Sequence, residues 1–318
     1  MAMKDFKQSS LLNALLASAL TAALFYFTVT VMPFLQVFLL FPFVTLYVSE
    51  GPKWTVFSMA LTLLVGGFLV GFDQALVTSL YFVPVALAMG EMIRRKIEVR
   101  DEILLTSLII FAATLVQLYL ASRMAGGAWL DSLQKSAQSA LEESLGSRGL
   151  NVSEADLPAL QYQISVALEM LVHSIPGILY VSSLFTALVT GLLSHFISRS
   201  SGIGVRPLAL ADFELSRFWT VILLLASLIV FILPGNSYNG NALIVALALL
   251  LINGLGYIDF RLQWRMIHWM GRAILYFFFI FLVLPCVPAL FIGIGDGLFG
   301  FRAKIREKGH QHGQNHKK

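Results

Sequence analysis

The chain has 318 residues, 58% of them hydrophobic and only 13% charged, with a formal net charge of +4. Soluble domains carry about 25% charged residues, so this composition, with a mean hydropathy of +0.80, excludes a soluble globular domain. The apolar runs are continuous rather than short and alternating, which excludes a β-barrel, and the small positive excess fits basic loops on a membrane better than a nucleic-acid partner.

The elements read in order as an all-α polytopic transmembrane helix bundle of eight to nine spans. After Lys4 and Lys7, span one covers 11–32, and Pro33 turns the chain into a shorter span, 34–48. Span one is too long, and too closely followed by others, to read as a cleaved signal peptide. Span three is 54–72, Asp73 and Gln74 mark a turn, and span four is 76–93 with Pro84 inside it. Arg94, Arg95, Lys96 and Arg100 follow, then span five, 103–122. These spans form an N-terminal membrane bundle, 1–122.

Segment 123–163 is the one substantial polar stretch, with Trp129, Leu130, Leu133, Ala137, Leu141 and Leu145 at the spacing of an amphipathic helix. Gln161 to Arg199 then reads as one long apolar helix. From Ile164 to Ser198 it would run roughly 50 Å, against a hydrocarbon core of about 30 Å. Residues 175–197 suffice to cross, so Glu169 and His173 are expected at or above one membrane face. A basic loop, span seven at 218–233, span eight at 241–258, the aromatic and basic stretch 259–272 and a last apolar run, 273–292, complete a C-terminal bundle over 164–301. Residues 302–318 read as a basic disordered tail.

The positive-inside rule puts the N-terminus in the cytoplasm. Loops on that side hold 13 Lys and Arg against three on the other, and segment 123–163 then lies outside. The tail resists this scheme, because nine straight crossings would translocate its six Lys and Arg. Either it is translocated or the Pro285–Pro288 stretch breaks the last run so that it re-enters.

Candidate residues fall into three groups. Ala14, Ser18 and Ala22 in span one, and Gly67 and Gly71 in span three, recur every four residues, a spacing that admits a close helix either from this chain or from a partner. Glu169 and His173 lie on one helical face, as a solvated pair or as part of a ligand pocket; two residues alone make no metal site. Asn253, deep in span eight, either bonds a neighbouring helix or lines a cavity. Glu91 is placed to pair with Arg94 or Arg95, while Asp259 and Arg261 read as interface charges. Cys286 reads as packing. Gly295 to Gly300 spells G-x-G-x-x-G, but it follows an apolar helix rather than a strand and makes no dinucleotide site. No cofactor motif, P-loop, metalloprotease or serine-hydrolase motif occurs, so no enzyme is expected.

The order of features resembles the YybS-like family of bacterial membrane proteins. The residues that carry the likeness are Pro176 in the long helix, the loop end Phe213, Arg217 and Trp219, and the terminal series Gly293, Asp296, Phe299, Phe301, Arg302. The pattern departs at Ser216, where Pro is expected. The N-terminal half is also similar to the substrate-binding subunits of energy-coupling-factor (ECF) vitamin transporters. That resemblance implies a multi-pass protein of the bacterial cytoplasmic membrane that binds a small molecule and is energised by a transmembrane coupling protein and ATPase subunits. A non-transporting scaffold that organises a membrane assembly is the alternative. Asp296 and Arg302 are six residues apart, so a regular helix cannot pair them; partners are expected elsewhere, with Arg265 and Arg272 nearest for Asp296.

Overall fold

The computed structural model describes residues 2–31, 33–124, 139, 157–232, 239–268, 271–272 and 286–307. Among them the regular structure is helical: α1 (Ala2–Thr30), a 3-10 turn (Pro33–Phe38), α2 (Phe41–Glu50), α3 (Pro52–Val70), α4 (Phe72–Arg94), α5 (Val99–Met124), α6 (Leu157–Ser200), a second 3-10 turn (Leu210–Asp212), α7 (Arg217–Ile232), α8 (Asn239–Trp264), α9 (Cys286–Phe299) and α10 (Phe301–Glu307). Most of the outer segment, including the expected amphipathic helix, lies outside the described residues, and its last residues already belong to α6.

Six of these helices are long and apolar enough to cross a membrane, or seven if bent α9 and α10 make one span. The expected eight to nine are not confirmed among the described residues, and the last expected span, 273–292, lies outside them as far as residue 285. The 10 residues of α2 rise only about 15 Å and the 16 of α7 about 24 Å, both short of a hydrocarbon core.

Two buried cores hold the bundle. Phe25, Phe43, Tyr81, Phe82, Met89 and Ile110 join α1, α2, α4 and α5. Ile103, Leu184, Phe213, Leu215 and Leu250 join α5, α6, α8 and the loop 201–216. The small residues of α1 serve the first of these packings. Ala14, Ser18 and Ala22 are 0%, 4% and 4% exposed, and the Thr62 hydroxyl of α3 donates to the Ser18 carbonyl at 3.4 Å. The stripe is covered by this chain's own helices.

Gly67 and Gly71 do not work as one close-approach pair. Gly67 makes room for the ring of Phe72, whereas Gly71, at φ +99° with open space around it, ends α3 and starts the turn into α4. The turn thus falls two residues before the position expected, and Asp73 sits in the first turn of α4.

The helix connections define two faces. Arg94, Arg95, Lys96, Arg206 and Arg217 gather at the ends where α4 and α6 finish and α5 and α7 begin; this is the basic face. Gly71 and Met124 mark the opposite face.

Candidate functional site

On the basic face the terminal motif closes on itself. At Gly300 the backbone turns left-handed, φ +61°, and the axis bends by 62° from α9 into α10. The bend carries Arg302 back to Asp296, six residues earlier. Arg302 Nε donates to Asp296 Oδ2 at 2.7 Å, Nη2 stands 2.7 Å from the same oxygen, and the Arg302 amide donates to Oδ1 at 3.1 Å. The expectation of separate partners fails because it assumed one regular helix.

Both side chains are fully buried. Every remaining guanidinium donor finds an acceptor: Nη1 donates to the carbonyls of Ala211 and Phe213 at 3.1 and 2.7 Å, and Nη2 to Asn253 Oδ1 at 2.7 Å. Asn253 also accepts from the Leu215 amide at 3.0 Å and donates to the Gly293 carbonyl at 2.8 Å. It bonds neighbouring segments and does not line the large cavity on the opposite face. A charge buried this deeply survives only when paired and saturated with hydrogen bonds. What the cluster fixes is the loop 201–216, pinned to α8, α9 and α10 along its backbone.

Asp259 extends the clamp. It is 1% exposed rather than interfacial, accepts from the Ala211 amide at 3.0 Å and from Gln263 at 2.8 Å, and pairs with Arg272 at 3.0 Å. Arg272 therefore serves Asp259, not Asp296. Glycines permit the close fit: a Cβ on Gly254 would strike the Ala289 carbonyl, and one on Gly293 the Leu250 carbonyl. Arg306 of α10 donates to Glu214 of the loop at 3.2 Å, so the last described residues stand on the basic face. Helix α10 thus takes up residues 302–307 of the assigned tail, with Arg302 as a buried anchor; residues 308–318 lie outside the described residues.

The opposite face carries a cavity of about 870 Å³ between α4, α5, α6 and the first 3-10 turn. Its apolar wall comes from Val37, Val77, Ile110, Leu118 and Leu179, and its polar lining from Gln36, Asp73, Gln74, Thr78, Tyr81, Thr114, Gln117, Ser182, Ser183 and Thr186. The size suits a small organic ligand, and a few polar groups on an apolar wall are what fixes the orientation of one. Sequence reading missed these residues because Gln, Ser and Thr scattered one to a turn read as ordinary span composition. Only folding brings three helices' worth of them together.

A second missed group is Glu102 of α5 with His195 of α6, 1% and 4% exposed, the imidazole Nε2 lying 3.1 and 3.2 Å from the two carboxylate oxygens. His195 Nδ1 meets the Arg206 carbonyl at 2.6 Å. A histidine inside the apolar run LLSHFIS was the visible signal.

The other expected residues are not gathered into a pocket. Glu169 is exposed and His173 half-buried on α6; His173 Nδ1 contacts the Glu169 backbone carbonyl at 2.7 Å, one turn up its own helix. Neither lines the cavity. Arg217 and Phe299 are exposed, Phe299 stacking on Phe301 at 5.8 Å. Glu91 pairs with Arg95 at 2.7 Å, as its spacing suggested, and also accepts from the Tyr47 hydroxyl at 2.9 Å.

Pro176 has a partner in α8. One turn of α6 would ordinarily bond the Gly177 amide to the His173 carbonyl. Here the Asn241 side chain takes both, accepting from Gly177 N and donating to His173 O, each at 2.7 Å. Among the described residues no three His, Cys, Asp or Glu side chains come together as a metal-ion site.

No curated protein and no solved structure matches the chain. A family model does, over residues 19–297, a range that takes in the cavity, the Glu102–His195 pair and the clamp up to Asp296, but not Arg302. The chain belongs to that family, described as predicted membrane protein (DUF2232).

Proposed function

We propose that this integral membrane protein is a small-molecule-binding subunit of a transport system, with the 870 Å³ cavity as its binding site. The cavity is the observation that carries the reading: a scaffold has no need of a ligand-sized recess lined by amides and hydroxyls from four segments. On the charge rule the basic face lies in the cytoplasm and the cavity opens outward. Energy comes from partner proteins of the ECF kind, a coupling protein and ATPase subunits, since the chain has no P-loop. The ligand is neutral or cationic, because Asp73 is the single charged side chain among the lining residues.

The test uses the full chain in detergent against a panel of vitamins and nucleobases, read by thermal shift, alongside Gln117→Leu and Thr78→Val. A compound that stabilises the parent and not the variants supports the site. No shift from any compound, together with purification free of coupling and ATPase proteins, overturns the reading in favour of a scaffold.

A further inference from the structure

We propose that Glu102 and His195 form a proton-binding site inside the membrane body, loaded from the cavity along a row of hydroxyls on α6. The proton entrance rests on the same cavity as the binding reading, but no ligand is needed there.

The hydrogen bonds define one exchangeable proton. The Arg206 carbonyl can only accept, so His195 Nδ1 must carry a hydrogen and donate it. Nε2 then faces the Glu102 carboxylate with room for a single proton between them, on the ring or on the carboxyl group. With that proton the pair is neutral overall. Without it, a carboxylate faces an imidazole lone pair in a buried site.

No neighbouring charge takes over. Among the described residues His195 is the only cationic partner within ion-pair reach of Glu102. From α5, Arg100 is held by Asp101 and Glu98; from α4, Arg95 is held by Glu91. From the loop, the Arg206 side chain leans on Asp212, and from the α8 side Arg272 is held by Asp259. Arg199 is exposed at the end of α6. The pair is thus the one site in this layer whose charge balance turns on a single proton.

A route leads to it. Thr186 lines the cavity, and Thr190, Ser194 and Ser198 follow at four-residue intervals, the row winding round α6 until Ser198 stands three residues from His195, next to it on the helix surface. All four are buried, at 7%, 0%, 0% and 0% exposure. The hydroxyls of Ser194 and Ser198, and of Thr106 one turn beyond Glu102 on α5, make no hydrogen bond to protein. Leaving a buried hydroxyl unpaired is unfavourable, and these three lie within about a turn of the pair along their helices. Successive hydroxyls stand about 6 Å apart along the helix, a gap that one water molecule bridges, and a hydroxyl both accepts and donates. On its far side His195 borders a groove of about 850 Å³ on the basic face, shared with Arg199, Asp212, Asp259 and Arg272. The pair therefore stands between two recesses that open on opposite faces.

The experiment is nitrogen NMR of the full-length protein, ¹⁵N-labelled at its six histidines, with His195 assigned by its loss in His195→Gln. His195 Nδ1 is expected to carry its hydrogen and Nε2 to show a proton shared with Glu102, and Glu102→Gln is expected to change the Nε2 signal while Nδ1 stays as it was. Thr190→Val with Ser194→Ala is expected to slow solvent exchange of the shared proton by about tenfold, the rate equivalent of one lost hydrogen bond, without changing the Nε2 signal. An Nε2 signal of a ring nitrogen with no hydrogen-bond partner overturns the site even if Glu102→Gln does not fold. Exchange indifferent to the row variants overturns the route. Failure of the ligand panel touches neither result.

Discussion

Asp296→Asn removes the one counter-ion of a guanidinium that is fully buried. The substitution keeps the shape of the side chain but leaves Arg302 charged, away from water, with only neutral acceptors: the carbonyls of Ala211 and Phe213 and the Asn253 amide oxygen. Breaking a buried pair in this way costs about 3–5 kcal/mol. The matched control is Glu214→Gln, which breaks the Arg306 pair. Those side chains are 33% and 44% exposed, and exposed pairs are worth about 0–1 kcal/mol. The assay is unfolding in mixed micelles of increasing SDS fraction, followed by tryptophan emission. Arg302→Met and the double variant complete a cycle. With both charges gone the uncompensated ion disappears, so the double variant should be more stable than the sum of the single losses by about 2–3 kcal/mol. The reasoning is refuted if Asp296→Asn costs no more than Glu214→Gln, or if the cycle closes with coupling below about 0.5 kcal/mol.

Gly293→Ala should prevent close packing of α8 and α9 and abolish the folded peak in size-exclusion chromatography, while Gly71→Ala, strained only by its positive φ, should cost about 1–2 kcal/mol in the same SDS titration. Ala14→Leu should destabilise by about 1–3 kcal/mol because α3 already fills that face; a stable Ala14→Leu protein that lost a co-purifying partner would show the stripe to be intermolecular after all. Asn241→Leu should cost about 1–3 kcal/mol by stranding the Gly177 amide and the His173 carbonyl, read as faster hydrogen exchange at Gly177.

The membrane class, the helix content and most helix boundaries were legible because hydrophobic runs bounded by charges and glycines are local signals. The clamp was half legible. The terminal Gly, Asp and Arg pattern was visible, and so was the cost of leaving Asp296 or Arg302 unpaired. Their mutual pairing was hidden because it depends on one left-handed residue, Gly300, among four glycines that look alike in sequence. Crossing number is not confirmed for a related reason: among the described residues α2 and α7 carry the apolar composition of spans without the length, and composition does not reveal where a helix stops. The cavity was illegible in principle, since Gln36, Thr78, Gln117 and Ser183 lie on four segments and only tertiary packing makes them neighbours.

Helix α6 is where these parts meet. Its middle turns line the cavity through Leu179, Ser183 and Thr186, its lower turns carry His195, and α8 grips it at Gly177 through Asn241. Pro176 deletes one backbone donor, and the Asn241 amide intrudes into the next bond of the ladder, so the helix is weakest just above the cavity. Below, its last turns join a loop whose backbone is held by Arg302, Asn253 and Asp259. A helix fixed at its lower end and weakened above the cavity will bend near residue 176 before it shifts at residue 195. That bend moves the turns above the cavity and leaves the clamp undisturbed; Asp296 does not line the cavity, so Asp296→Asn should reduce stability without altering ligand preference in whatever protein still folds. A changed ligand preference in that variant would show that clamp and cavity move as one body.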